Sequence, residues 1–483
     1  MAFSKSPSQS TYQTKEIKAS WAMRNRDASG TKDTIALNGF FDLVQDRATG
    51  DKDIHFVKRD GTSLFEYTLP SGPARGAFYW EDQDKLLVAY SNDIAVITGS
   101  TGVLVTTLTD VFVSTTGDVG FVEYLYDTGD TKIVAADGTR LVTIDSSNVI
   151  VAGVDADQPT AFEPHVMFLD GYLFMVKTGT SDIYNSDLND PLAFTAGSYI
   201  SAEMVGDRLI RIGRLNNYII AFGTASLEFF YDAAVETASP LKRVDTPIKN
   251  VGYLGGLVTH LNKMYFVGQT QNTSPEVYVL EDWKMDSLDN PPLRRYIQPH
   301  TSFSGAIVTN GGHDFYVLTV GTITYWMDLE TKVWTRIAFQ GTEVFAMKDA
   351  MIVPRASVGN VSVIVPTTGT SLYFFNPAIY QDAGTNFTTT VLTYKTIFDT
   401  FRQKYMSRLM VVADKASAGS LNVSWSDDDY LTYSGVRTVD LASRRPRIHR
   451  MGDFTERAFR FTMTSNNPMK LHHLEVDYNI GIR

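Results

Sequence analysis

The sequence predicts an all-β protein whose main body is a β-propeller of about seven blades, followed by a small C-terminal β-sandwich. Short runs rich in Val, Ile, Tyr, Phe and Thr are separated by Gly, Asp, Asn and Ser, roughly every eight to twelve residues. Apolar strand cores also recur at a regular spacing, and long helical periodicity is nearly absent. The alternative interpretation is a set of β-sandwiches with accidental spacing.

Three Asp-Gly pairs predict β-hairpins, because both central residues of a type I′ turn need positive φ. They are Asp60-Gly61, Asp137-Gly138 and Asp170-Gly171, and each is flanked by two apolar runs. Such turns join antiparallel neighbours, so we expect meanders and not βαβ units.

The repeat length indicates propeller blades. Comparable strand cores recur roughly every 40 to 50 residues, the length of a four-stranded blade. A blade is apolar on both faces, so such repeats close into a ring around a central channel. We count seven blades, with six or eight as alternatives because the first blade is poorly marked. The cores are Leu86–Tyr90, Lys132–Val134, Tyr172–Phe174, Tyr218–Phe222, Met264–Val267, Phe315–Leu318 and Val361–Val365.

Changes in residue pattern along the sequence divide the chain into three parts. Residues 1–35 are polar and predict an arm that orders only against a neighbour. Residues 36–384 form the propeller body, and residues 385–483 a β-sandwich docking domain. In that last part, residues 396–406 could form one or two helical turns. The predicted strands of the sandwich are Arg408–Val412, Leu421–Trp425, Ala458–Thr462 and His473–Val476.

Composition and charge limit the function. Of the 483 residues 43% are hydrophobic, enough for a packed core. No apolar run approaches the length of a membrane span, so we expect a soluble protein made in a cytoplasm, without stable membrane insertion. Cysteine is absent, which excludes disulfides and cysteine-ligated zinc. Residues 385–483 carry 14 Lys+Arg and 10 Asp+Glu; subtraction from the totals of 43 and 54 leaves 29 and 44 for residues 1–384. The main body would therefore repel a polyanion.

Motifs for catalysis are absent. The sequence contains no P-loop, GxGxxG, GxSxG or HExxH. His472 and His473 are adjacent on a predicted strand and point to opposite faces, and Asp427-Asp428-Asp429 is typical of a turn between two strands. A glycoside hydrolase is a further alternative, although no carboxylate pair is singled out for glycoside hydrolysis. We therefore expect no enzyme activity, no cofactor and no metal site.

A basic segment in the last part of the chain is the sharpest charge feature. Arginine makes bidentate contacts with carboxylates and phosphates, so the segment predicts docking onto an acidic partner surface or DNA. A solvated loop is the alternative. The arginines concerned are Arg444, Arg445, Arg447, Arg450, Arg457 and Arg460.

The middle of the chain resembles a known family. A strand at residues 171–174 is followed by a Ser-Asp-Leu-x-Asp-Pro turn, a strand ending Phe-Gly-x-x-Ser-x-Glu and a Gly-containing loop. This succession, clearest over residues 165–255, is similar to the packaged-DNA stabilisation proteins, or tail hubs (nozzles), of short-tailed bacteriophages (podoviruses). Residues 332–334, which resemble the Trp-bearing strand of the family, and residues 459–476 extend the resemblance. The motif residues are Asp187, Asp190, Pro191, Gly223, Ser226, Glu228, Gly252 and Trp334.

The resemblance implies a virion protein that forms a hexameric ring below the portal and adaptor, retains packaged double-stranded DNA without binding it specifically, and provides the channel for genome ejection. Needle, tailspike or fibre proteins are the further implied partners. The motif residues are also plausible as scaffold: Asp190-Pro191 sets a turn, Gly223 would take positive φ at a strand exit, and Glu228 would accept hydrogen bonds. The alternative function is a propeller lectin or other tail component that binds cell-surface glycan, which exposed aromatic residues at the ring mouth would favour.

Overall fold

The computed structural model describes residues 13–18, 35–45, 52–235, 237–245, 248–288, 291–342, 344–398, 400–415 and 418–481. Most of the predicted N-terminal arm lies outside these ranges. The described residues form mostly strands, with one short α-helix, α1 (Pro291–Ile297).

The strands of the first half, in chain order, are β1 (Gln13–Lys18), β2 (Ile35–Leu37), β3 (Gly39–Gln45), β4 (Lys52–Lys58), β5 (Gly61–Thr68), β6 (Ala74–Trp80), β7 (Lys85–Tyr90), β8 (Asp93–Thr98), β9 (Leu104–Leu108), β10 (Gly120–Leu125), β11 (Thr131–Ala136), β12 (Leu141–Ile144), β13 (Ile150–Ala152), β14 (Met167–Leu169), β15 (Tyr172–Val176), β16 (Asp182–Asn185), β17 (Tyr199–Ser201), β18 (Leu209–Leu215), β19 (Tyr218–Gly223), β20 (Leu227–Asp232) and β21 (Leu241–Arg243). Those of the second half are β22 (Gly252–His260), β23 (Lys263–Gln269), β24 (Glu276–Glu281), β25 (Lys284–Ser287), β26 (Phe303–Asn310), β27 (His313–Val320), β28 (Ile323–Asp328), β29 (Trp334–Ile337), β30 (Met347–Arg355), β31 (Gly359–Pro366), β32 (Ser371–Asn376), β33 (Thr388–Leu392), β34 (Lys404–Ala413), β35 (Ser420–Ser426), β36 (Arg437–Asp440), β37 (Arg447–Phe454), β38 (Ala458–Thr464) and β39 (Lys470–Ile480).

The chain forms two compact units, and the larger one is a propeller. This propeller unit consists of Thr62–Thr324 and Val344–Asn376. Its first five blades are the four-stranded meanders β6–β9, β10–β13, β14–β17, β18–β21 and β22–β25. The last blade has the strand order β30-β31-β32-β5. The innermost strands β6, β10, β14, β18, β22, β26 and β30 each contact the next, and β30 contacts β6. The ring is therefore closed with seven blades, which confirms the predicted propeller.

The seven strand cores found in the sequence correspond to equivalent positions in the propeller. They fall on β7, β11, β15, β19, β23, β27 and β31, the second strand of every blade. These strands are the most buried because they lie inside a blade that packs against neighbours on both faces; Leu86 to Ala89 and Phe315 to Leu318, for example, are almost fully buried. Continuous apolar runs at this position explain why the repeat is visible in the sequence.

Two of the three predicted hairpins form and one does not. Asp170 and Gly171 have φ of 49° and 86° and connect β14 to β15. β11 and β12 also pair, across a loop in which the Asp137 carboxylate accepts hydrogen bonds from backbone N–H groups. The prediction at Asp60-Gly61 is wrong, because β4 pairs with β3 and β39 whereas β5 pairs with β32. The sequence shows the turn signal there but not the long-range strand partners.

The smaller unit is a β-sandwich, as predicted. It contains the described residues of Met1–Gly61, Tyr325–Glu343 and Pro377–Arg483. One sheet has the order β3-β4-β39-β34-β37, with β1 also paired to β39. The second sheet has the order β29-β2-β33-β38-β35-β36. The last residues of β28, from Tyr325 onwards, also belong to this unit and precede β29. Alternate residues of both sheets form a common core that includes Phe56, Val391, Leu409, Phe461 and Val476.

The division of the chain differs from the predicted boundaries. Residues 35–58, assigned to the arm and propeller, belong to the sandwich because β2 pairs with β33 and β4 with β39. Within the predicted arm, residues 13–18 pair with β39 of the same chain. The predicted helical turns near residues 396–406 are also wrong: β34 begins at Lys404, where Lys404 and Met406 alternate into the core. The only α-helix of the described residues, α1, was not predicted.

Candidate functional site

The Ser-Asp-Leu-x-Asp-Pro motif forms a turn that its own side chains organise. The Asp187 carboxylate accepts a hydrogen bond from Thr195 Oγ1 (2.8 Å), and that of Asp190 accepts one from the Leu192 N–H (3.1 Å). Pro191 is buried behind this turn. Each carboxylate therefore accepts a hydrogen bond from within the turn, as expected of scaffold residues.

The next motif is built around a residue that the sequence analysis missed. The Asp207 carboxylate accepts hydrogen bonds from the Ala225 and Ser226 N–H groups (2.6 and 3.1 Å) and from Ser226 Oγ (2.9 Å). It lies so close to Gly223 that a Cβ atom there would be 2.2 Å from Asp207 Oδ2. Gly223 does not have positive φ, so the predicted reason for this glycine is wrong. The glycine is required by close approach.

Gly252 and Glu228 stabilise the surroundings of the same turn. A Cβ atom on Gly252 would lie 1.9 Å from the Thr224 carbonyl oxygen. Glu228 is buried, accepts a hydrogen bond from the Met204 N–H (3.0 Å) and lies 2.7 Å from Arg243 Nε. The part of the motif around Gly223 is therefore a packed structural unit of the fourth and fifth blades. Trp334 is a buried residue of β29 in the sandwich unit.

The predicted docking arginines fall into two groups. Arg444, Arg445, Arg447 and Arg450, which we call the basic segment, are exposed on the loop before β37 and along β37. By contrast, the Arg457 side chain is 1% exposed. It forms two 2.7 Å contacts with the Asp427 carboxylate and donates to the Met451 carbonyl oxygen (3.0 Å). The prediction that Arg457 docks a partner is therefore wrong.

Arg460 is intermediate between these groups. Its Nε–H donates to Ser424 Oγ (3.1 Å), and its guanidinium lies 3.9 Å from the centre of the Tyr433 ring. It faces a cavity of about 350 Å³ on the second sheet, which the sequence analysis did not identify.

The acidic and histidine clusters have structural partners. Asp428 accepts hydrogen bonds from the Thr432 N–H and hydroxyl and from Ser426 Oγ, and the first of these partners, Thr432, lowers the pKa of Asp428 to about 2. His472 contacts His55 (3.1 Å) and Asp414 (2.7 Å). Among the described residues, no group of three or more acidic or histidine side chains is arranged to hold a metal ion. The Asp-rich sequence is thus a turn, as predicted.

The propeller channel carries charges of both signs that pair with each other. Lys348 Nζ lies 2.5 Å from Asp118 Oδ1. Burial opposes ionisation of Asp118, but contacts with His165 and Lys348 outweigh it and hold the pKa of Asp118 below its usual range. Burial, followed by the charge of Arg211, lowers the pKa of His165 to about 4, so His165 is neutral at pH 7.

Other ionisable groups of the channel are bound by hydrogen bonds or have a shifted pKa. Arg75 donates to four backbone carbonyl oxygens, those of Ser91, Ser114, Thr116 and Gly117. Burial raises the pKa of Asp349 to about 6. Arg75, Arg211 and Lys348 therefore stand against Asp118, Glu163 and Asp349 along the same lining, which leaves little net attraction for phosphate.

The channel is narrow. Its cavity has a volume of about 1000 Å³, and an inner strand of seven residues is roughly 23 Å long. A DNA duplex, whose major groove alone is about 12 Å wide and about 8.5 Å deep, is too large for a cavity of this volume. Aromatic residues of the lining are Phe121, Tyr253 and Phe303, without a tryptophan.

Comparison with known proteins identifies the family. A family model described as "Bacteriophage P22 Gp10, beta-propeller", of the phage stabilisation family, matches residues 48–329. This match covers more than half of the chain. The chain belongs to the phage stabilisation family. Membership makes it a structural protein of the phage tail from a DNA-stabilising family, and the resemblance read from residues 165–255 is confirmed. Residues 330–483, which include most of the sandwich, lie beyond the match.

Solved structures similar to this member of the phage stabilisation family are distant propellers. Streptogramin B lyase is 10% identical with a TM-score of 0.41, covering 65% of this chain and 97% of that chain. Virginiamycin B lyase from Staphylococcus aureus is 9% identical with a TM-score of 0.43, covering 65% and 98%. The N-terminal domain of Nup159 is 11% identical with a TM-score of 0.41, covering 69% and 97%. No curated protein matches the sequence.

Within the described residues, no helix is long and apolar enough to cross a membrane.

Proposed function

We propose that this protein is the tail hub of a short-tailed phage, a ring below the portal and adaptor that retains packaged DNA and provides the channel through which the genome leaves. Membership of the phage stabilisation family is the observation that carries this proposal. Virions are the proposed site of action, after synthesis in the host cytoplasm.

The dimensions of the propeller support a ring of several copies. Duplex DNA is too wide for the central channel of one chain, and the charges lining that channel compensate each other. A DNA conduit must then be enclosed between protomers. Copies arranged by a rotation that closes form such a ring, and a hexamer is the proposed state.

The basic segment supports docking to an acidic neighbour. Its four arginines are exposed, and residues 385–483 carry a net charge of +4 against −15 for residues 1–384. Opposite charges of this kind steer association between proteins. The portal or adaptor ring and the needle, tailspike or fibre proteins are the proposed partners, with DNA passing through without specific binding.

Electron microscopy tests the proposal directly. Purified protein and whole virions should show a sixfold ring at the tail, below the portal. A monomer in solution together with virions that lack such a ring would refute the proposal. The alternative functions give different results: a lectin would bind members of a glycan array, and a hydrolase would turn over glycosides or esters, with activity abolished by one carboxylate substitution.

A further inference from the structure

The outer face of the second sandwich sheet carries a pocket that no known activity of this protein uses. Side chains alternate across this sheet, so that Ala36, Val391, Phe461 and Val423 enter the sandwich core. Their neighbours along the same strands point to the opposite face and line a cavity of about 350 Å³. The cavity is lined by Ile35, Leu37, Arg336, Thr390, Leu392, Asn422, Ser424, Tyr430, Tyr433, Val436, Arg460 and Thr462.

The strand register arranges this lining as an apolar floor between two arginines. Leu37 lies beside Arg336 on one side and Thr390 on the other. Two residues further along β33, Leu392 lies between Ile35 of β2 and Arg460 of β38. Arg336 and Arg460 are therefore three strands and two residues apart, a Cα separation of roughly 16 Å. The aliphatic side chains of the floor lie between them.

Neither guanidinium group has an acidic partner among the residues that the structure describes. Arg460 donates one hydrogen bond, to Ser424, and stacks on Tyr433; Arg336 lies 5.6 Å from the Tyr325 ring centre. Among the described residues, no carboxylate is within ion-pair distance of either arginine, and the lining contains no Asp, Glu or Lys. Arg457 and Arg59 of the same unit, in contrast, are both paired with an aspartate.

We propose that this pocket binds an extended peptide segment of a partner protein in which an apolar side chain lies between two carboxylates. Residues i, i+2 and i+4 of an extended segment point to one face, and residues i and i+4 are roughly 13 Å apart. The outer two would meet Arg336 and Arg460 through charge-assisted hydrogen bonds, and the middle one would lie on Leu37 and Leu392. The inference does not depend on the tail-hub proposal.

A peptide fits this site better than a nucleic acid. Single-stranded nucleic acids are bound by a continuous basic groove and by aromatic platforms on which bases stack. Here the floor is aliphatic and the basic groups are two separate arginines, one of which already stacks on Tyr433. The exposed Val436 at the rim extends the apolar surface for a bound segment.

The test uses the full chain and the labelled peptide acetyl-Glu-Thr-Leu-Thr-Glu-amide, with binding followed by fluorescence anisotropy. The Gln-Thr-Leu-Thr-Gln peptide should bind about tenfold more weakly or worse, because charge-assisted hydrogen bonds are lost. The double variant with Arg336→Gln and Arg460→Gln should bind the acidic peptide more weakly than the wild type by a similar factor. The matched control, Arg402→Gln with Lys415→Gln, removes two exposed charges outside both the pocket and the basic segment and should leave the affinity for the acidic peptide unchanged.

Further measurements keep the proposal falsifiable. Arg460→Lys retains the charge but loses the planar fork of the guanidinium group, so it should lower the affinity for the acidic peptide by an intermediate factor. This single variant tests the proposal even if the double variant does not fold. Circular dichroism and the melting temperature report folding. Equal affinity for the acidic and neutral peptides, or for the wild type and the folded double variant, would overturn the inference. A single-stranded DNA decamer that binds more tightly than the peptide, and only with both arginines present, would replace it with a nucleic-acid site.

Discussion

The propeller and sandwich units use basic side chains in different ways. In the propeller channel, Arg75 is bound to backbone carbonyls and Lys348 to Asp118. The sandwich unit combines buried, paired arginines with exposed ones: Arg59 and Arg457 are each paired with an aspartate, whereas the basic segment projects into solvent. The positive charges of the channel are thus engaged within the propeller, whereas the sandwich also presents exposed arginines to solvent. Burial and pairing, and not the number of arginines, separate structural groups from those that are exposed and available for binding.

The largest expected effect comes from breaking a buried pair of the sandwich. Arg59 Nη2 and Asp382 Oδ2 are 2.6 Å apart and both side chains are fully buried. Asp382→Ala leaves the guanidinium without its counter-charge, so the free energy of unfolding should fall by about 3–5 kcal/mol. Urea unfolding followed by tryptophan fluorescence measures this loss. A fall below about 0.5 kcal/mol, the range of surface substitutions, would show that Arg59 does not depend on the pair.

A second test concerns the packed turn of the propeller. Gly252→Ala places a Cβ atom against the Thr224 carbonyl oxygen, which belongs to the backbone and cannot move alone, so the loss should be about 3 kcal/mol. Gly223→Ala meets a side-chain carboxylate and should cost less, about 1–2 kcal/mol. Gly435→Ala is the control, since a Cβ atom there meets nothing within 4 Å. The reverse order of the two propeller variants would contradict this explanation of the motif glycines.

The third test uses pH and the buried Lys58. Its side chain is nearly inaccessible and donates to the Ser465 carbonyl oxygen (2.5 Å). Burial, followed by the charge of Arg59, lowers the pKa of Lys58 to about 7. In the unfolded chain the pKa is about 10.4, so between these values the unfolded state binds more protons and stability rises with pH. The cost of burying the charged amine is therefore fully present below pH 7 and is relieved above it.

Lys58→Met isolates this contribution. From pH 7.5 to 9, the free energy of unfolding of the wild type should rise by about 2 kcal/mol relative to Lys58→Met, since each pH unit corresponds to about 1.4 kcal/mol. Chemical denaturation at several pH values gives both curves. Parallel curves would mean that Lys58 keeps an ordinary pKa in the folded protein.

The sequence predicted the parts of the fold that depend on local pattern. The second strand of each blade is a continuous apolar run, so the repeat was visible, and Asp170-Gly171 specified its hairpin. Long-range pairing was not predictable in this way: β5 pairs with β32, and β2 and β4 belong to the sandwich. Asp60-Gly61 lies where the chain changes sheets, so its local turn signal was misleading.

The candidate sites were predicted less completely for a similar reason. Arg457 lies close to the basic segment in sequence, but burial and Asp427 give it a structural role. Asp207 precedes Gly223 by 16 positions in a region without a motif, so its carboxylate could be recognised only from its contacts. The pocket of Arg336 and Arg460 combines residues from five strands distant in sequence. A linear pattern contains no signal for such an arrangement.

The smallest effect on stability and the largest on assembly are expected from the basic segment. Replacing Arg444, Arg445, Arg447 and Arg450 with Ser removes only exposed side chains, so the change in unfolding free energy should be within about 0.5 kcal/mol per position. Arg457→Ser, in contrast, should destabilise the protein by about 3 kcal/mol, because it removes a buried side chain that pairs with Asp427. Melting curves of the two variants separate these roles.

Attachment to particles then measures the docking role of the basic segment. If these arginines dock the sandwich onto an acidic neighbour, particles built with the quadruple variant should lack the protein and lose packaged DNA, although the variant itself is folded. Arg402→Ser with Lys415→Ser, two other exposed charges of the sandwich, is the control and should attach normally. Wild-type attachment should slow near 1 M salt, where the Debye length is about 3 Å, and the quadruple variant should lose this salt dependence. Normal attachment of the quadruple variant, with the salt dependence of the wild type, would show that the segment is a solvated loop and that the docking surface lies elsewhere.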